Sequence, residues 1–102
     1  MIKLALFARL EAKPGKEAAV ADLLATGLTL ARKEETTPIW FALKLSQTTF
    51  GVFDAFHDEA GRQTHLAGPI AQALVAKMQE LFTGPPSIEP IEVLGMKNTG
   101  AV

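Results

Sequence analysis

The chain has 102 residues, 48% of them apolar and 21% charged, which suits one globular domain spanning 1–102 and excludes a disordered or fibrous chain. Ten basic residues against eleven acidic ones give a net charge of −1 with no basic cluster, so the composition argues against nucleic acid as a partner. With no cysteine and only two histidines, disulfides, thiol catalysis, iron–sulfur clusters and thiolate zinc sites are all excluded, and no metal site is expected.

The N-terminus alternates, with Ile2, Leu4, Leu6, Ala8 and Leu10 on one face, and this pattern predicts strand β1. The run Leu4 to Ala8 is too short to span a bilayer and is followed at once by Arg9 and Glu11. With no signal-peptide pattern either, a soluble cytoplasmic protein without a membrane partner is expected. Pro14-Gly15 ends β1, and Val20, Leu23, Leu24, Gly27, Leu28 and Ala31 then recur at helical spacing, predicting α1 from about Gly15 to Lys33. Gly27 inside α1 suits a helix that packs closely on a sheet. Glu34-Glu35-Thr36-Thr37-Pro38 reads as a polar connection, its glutamates solvated like Glu89 and Glu92.

The apolar runs Ile39 to Leu45 and Phe50 to Phe56, separated by Ser46-Gln47-Thr48-Thr49, predict a hairpin of β2 and β3. Asp58 is a suitable N-cap for α2 over Glu59 to Leu66. Gly68-Pro69 breaks that helix and starts α3, whose apolar stripe reaches Phe82 before Gly84-Pro85-Pro86 stops it. Strand β4 is expected over Ser87 to Met96, and Lys97 to Val102 as a loose or partner-docked tail. The order β-α-β-β-α-β predicts an α+β, ferredoxin-like sandwich, with a four-stranded antiparallel sheet and helices on one face. The strands are apolar on both faces, as Phe41 and Trp40 on alternate sides of β2 illustrate. A second copy is the simplest cover for the face that helices leave open, so a homodimer is expected.

Three stretches then carry a resemblance over nearly the whole chain. They are RLEAKPG at Arg9 to Gly15, FGVFDAFHDEAGRQTHLAGP at Phe50 to Pro69, and PPSIEPIEVLGMK on the last strand. Together they resemble the antibiotic biosynthesis monooxygenase-type (quinol monooxygenase-like) domain of the dimeric α/β-barrel superfamily. The resemblance implies a homodimer whose sheets form a barrel, with an apolar cavity in each subunit. It also implies cofactor-free oxidation of quinols or polycyclic phenols by O₂ in some relatives and haem degradation in others. The haem-degrading relatives carry a histidine and an asparagine at positions matching about Leu74 and Ala8. Neither residue ligates iron, so haem is not expected, nor any other cofactor. Other relatives use an asparagine, a tryptophan and a tyrosine. This chain has no tyrosine, its only asparagine is Asn98, and its only tryptophan is Trp40.

His65, within HLAGP, is the candidate catalytic base, deprotonating a bound phenol or quinol. The alternative is a histidine that caps α2 or bonds a backbone carbonyl. His57 suits a surface role, and its H-x-E match to zinc deaminases fails for want of cysteine. Trp40 and Phe53 are candidates to wall an aromatic ligand from one sheet face, or else belong to the core or the dimer interface. Asp54, between Val52 and Phe56, is a further substrate-binding candidate: a buried carboxylate needing a partner such as Arg9, or an edge residue in water. The function expected is a cofactor-independent monooxygenase. The alternative is a non-enzymatic or stress-related dimer binding a small apolar or aromatic ligand. An isomerase or decarboxylase on the same barrel is also compatible with the fold.

Overall fold

The structure, a computed structural model, describes residues 1–97; Asn98 and the rest of the expected tail lie outside the described residues. Strands β1 (Leu4–Glu11), β2 (Ile39–Lys44), β3 (Thr49–Phe56) and β4 (Ser87–Glu92) form one antiparallel sheet in the order β2-β3-β1-β4. Helices α1 (Glu17–Ala31), α2 (Glu59–Leu66), α3 (Pro69–Ala76) and α4 (Met78–Leu81) fill the connections. The α+β ferredoxin-like sandwich is therefore as the residue pattern predicts. No helix among the described residues is long and apolar enough to cross a membrane.

Local chemistry accounts for the boundaries. Gly15 takes φ +81, a left-handed conformation that glycine adopts without strain, and so turns the chain from β1 into α1. The β2–β3 turn lacks a glycine, and Ser46 closes it instead: its Oγ accepts from the backbone N–H of Thr48 and of Thr49. Asp58 caps α2 by accepting from Gly61 N–H at 2.8 Å, and Pro69 occupies the first turn of α3.

Two expected boundaries are corrected. The apolar stripe from Pro69 to Phe82 is not one helix, because α3 ends at Ala76 and Lys77 leaves helical geometry (φ −102, ψ 1). The break lets Leu81 and Phe82 turn under the end of β1, where Lys13 N–H bonds Leu81 O and Ala12 bridges Phe82. Strand β4 also stops at Glu92, although Val93 N–H still bonds Lys3 O.

The main core lies between the helices and one sheet face. Leu10, Phe50 and Val52 from the sheet meet Val20 and Leu24 of α1 and Leu81 of α4 there. Gly27 of α1 sits against Trp40, so close that a Cβ would lie 3.3 Å from the indole ring, which explains the glycine inside the helix. Among the described residues, no helix covers the opposite face. It carries Phe7, Phe41, Leu43, Phe53 and Ile91, with Phe41 53% exposed.

Candidate functional site

Antiparallel partners share a face, and the register fixes what meets what. Trp40 pairs with Asp54, and Phe41 pairs with Phe53. Trp40 and Phe53 thus lie on opposite faces, which corrects the expectation that they share one sheet face. Asp54 faces the helices. Arg9, opposite Gly51 on the other face, is not its partner; Arg9 instead lies over the Phe7 ring at 5.5 Å.

The partner of Asp54 is His65. Asp58 and the capped first turn fix the start of α2, and Gly61 and His65 are the helix's buried residues, one turn apart. This orientation brings His65 Nε2 to 2.8 Å from Asp54 Oδ2. On the other side of the ring, Nδ1 lies 2.8 Å from Glu34 Oε1, and Thr37 donates its hydroxyl to the same oxygen at 2.9 Å. The Phe56 ring packs against the imidazole at 5.5 Å. Glu34, expected in water, is therefore a half-buried ligand of the ring, whereas Glu35, Glu89 and Glu92 are exposed as expected. His65 neither caps α2 nor bonds a carbonyl with its ring: both nitrogens are committed to carboxylates. His57 is exposed.

The electrostatics follow from this sandwich. Burial disfavours charge on His65, but hydrogen bonds to Asp54 and Glu34, reinforced by their negative charges, outweigh it and hold its pKa above the ordinary histidine value. Burial pushes the Asp54 carboxyl above the usual aspartate range, opposed by the His65 hydrogen bond and aided by the Glu34 charge. The imidazolium form is the one that can donate to both carboxylates at once.

Of the buried side-chain polar atoms without a partner among the described residues, Asp54 Oδ1 and Glu34 Oε2 belong to this cluster; the third is Trp40 Nε1. Asp54 and His65 line a narrow cavity of about 50 Å³ between sheet and helices, with Val52, Ile70, Leu74 and Ile88 among its apolar walls. Ala8 and Leu74 line this same cavity. A wider groove of about 560 Å³ runs over the uncovered sheet face beside Ile39, Phe41, Phe53 and Met96, and both Trp40 and Phe53 border it. The titratable cluster and the larger space are on different sides of the sheet.

No family model and no curated protein matches the chain. Among solved structures, it is similar to the NE2512 protein of unknown function from Nitrosomonas europaea, at 59% identity over 99% of this chain and 98% of that one, with a TM-score of 0.95. It is also similar to Rv0793 from Mycobacterium tuberculosis, at 20% identity over 94% and 99% of the two chains, TM-score 0.81. A protein from Deinococcus radiodurans described as a "putative antibiotic biosynthesis monooxygenase" matches at 22% identity over 96% and 99%, TM-score 0.76. The chain belongs to one family with NE2512, and its fold is that of the antibiotic biosynthesis monooxygenase-type domain.

Proposed function

We propose that the protein is a cofactor-independent monooxygenase that oxidises a quinol or polycyclic phenol with O₂, as a homodimer of single-domain subunits joined through their open sheet faces. One observation carries the reading: a buried carboxylate oxygen, Asp54 Oδ1, has no partner among the described residues and belongs to a residue lining an apolar cavity. A phenolic hydroxyl in that cavity supplies the missing donor.

Asp54, rather than His65, is then the proton acceptor, because both ring nitrogens of His65 are occupied. His65 holds Oδ2 and leaves Oδ1 for the ligand. Transfer of the hydroxyl proton to Asp54 makes the ring electron-rich enough to pass an electron to O₂. Recombination at a ring carbon forms a C–O bond, and loss of water, with the proton returned by Asp54, leaves a carbonyl. One hydroquinone and one O₂ thus give one hydroxyquinone and one water, the ring supplying all the electrons. The cavity of about 50 Å³ is smaller than the roughly 150 Å³ that accommodates benzene in an engineered site, so a ring enters only as the cavity widens.

Oxygen uptake over a hydroquinone and polyphenol panel tests the proposal. Turnover that falls about 10²-fold or more in Asp54→Asn, with the protein still folded, supports it. No uptake with any member of the panel overturns it. A second reading, a dimer that binds an apolar ligand without turnover, is favoured by the wider groove, whose lining among the described residues is aromatic and carries no carboxylate.

A further inference from the structure

We infer that the Asp54–His65–Glu34 cluster selects its ligand by charge: the cavity accepts a neutral or cationic hydrogen-bond donor and refuses an anion. The inference rests on the proposed ligand site at Asp54 but not on any oxidation occurring there.

The charges facing the cavity decide the matter. With His65 as imidazolium, the two carboxylates leave the cluster one net negative charge. That charge is buried: the side chains of Asp54 and His65 are 3% and 7% exposed, and that of Glu34 is 14% exposed. In such surroundings water screens it little. Among the described residues the cavity lining includes no lysine or arginine, and its one cation, His65, has both N–H groups directed to carboxylates. An incoming carboxylate would therefore meet a like charge and find no side-chain donor. A hydroxyl or ammonium meets Asp54 Oδ1, an acceptor that nothing among the described residues satisfies. Glu34 is not among the lining residues, so its part is to contribute charge without touching the ligand.

Phenol and benzoate, rings of one size with opposite charge behaviour at neutral pH, are the probes. Binding is read by calorimetry and by the His65 imidazole signals in NMR spectra. Phenol should bind the wild-type protein at least about tenfold more tightly than benzoate, the scale of discrimination that one unpaired buried group supports. Asp54→Asn removes the charge and adds an N–H donor, so the preference should vanish or reverse. Glu34→Gln keeps the acceptor for Nδ1–H and should improve benzoate binding while leaving phenol binding nearly unchanged. Thermal melts identify any variant that fails to fold, and the remaining variant then decides. Equal binding of the two probes to wild type, no phenol binding at all, or an unaltered ratio in the folded variants overturns the inference. A protein that binds phenol selectively yet consumes no oxygen with any quinol overturns the monooxygenase reading and leaves this one standing.

Discussion

His65 Nδ1 and Glu34 Oε1 lie 2.8 Å apart although 31 positions separate them in the chain, and their contact ties α2 to the connection between α1 and β2. With the Asp54 contact on the other nitrogen, the ring is a buried cation held between elements that are distant in sequence. Removing it leaves two buried carboxylates with no counter-charge. His65→Ala is therefore expected to destabilise the fold by about 3–5 kcal/mol, the scale of breaking a buried pair from one side. Denaturant unfolding measures this, and a loss below about 1 kcal/mol would show that the cluster does not hold these elements together.

The same cluster sets a pH dependence. The folded-state pKa of His65 is raised above its ordinary 6.5, so its contribution to stability is complete below that value and is lost as pH rises through the folded pKa. Asp54 acts in the same sense at lower pH: its raised pKa means the folded chain keeps this proton longer than the unfolded chain does. Unfolding midpoints measured from about pH 6 to pH 9 should fall in the wild type and stay nearly flat in His65→Gln. Parallel curves for the two proteins would rule out the imidazolium assignment.

Phe41 is 53% exposed on the uncovered sheet face and pairs with Phe53. If the proposed dimer forms there, it should bury about 1,600 Å² or more in total. Phe41→Glu should convert it to monomer, because an unpaired charge at an apolar interface is costly to bury. Sedimentation at micromolar concentration decides, and an unchanged dimer would move the interface elsewhere.

Leu74 is a partly buried wall of the narrow cavity, packed against the main core. Leu74→Ala should widen the cavity and strengthen binding of phenol. The stability cost should be about 1–2 kcal/mol, less than for a fully buried leucine. Titration of both proteins with phenol tests this. Weaker binding in the variant would mean that Leu74 contacts the ligand instead of obstructing it.

Strand alternation, the Asp58 cap and the Pro69 start are local signals, and they made most of the fold legible in the sequence. The candidate site was legible only in parts. Asp54 stands out as the polar residue between Val52 and Phe56, and His65 as the polar residue on the buried side of α2, but no periodicity joins them. Their meeting depends on how α2 lies across β3. Glu34 was missed because it sits in a run of polar residues that reads as solvated. The one signal available was that Asp54 and His65, polar residues at positions facing apolar ones, each needed partners, and a polar connection can supply them. Placing Trp40 and Phe53 on one sheet face failed for a simpler reason. Alternation sorts the residues of one strand, while only the register states which face of the neighbouring strand they join.

Pro90 lies within β4, an edge of the sheet, opposite Leu6. Because Val93 N–H bonds Lys3 O, the odd-numbered residues of β4 turn their N–H groups toward β1, and the Pro90 nitrogen falls on the outer side. The ladder to β1 loses nothing, yet the outer rim lacks a donor midway along a six-residue strand that also carries Glu89 and Glu92. A fifth strand laid along that rim would find an interrupted template flanked by negative charge. Self-association by extending the sheet sideways, the route to fibrils, is thereby discouraged along β4 even at high protein concentration.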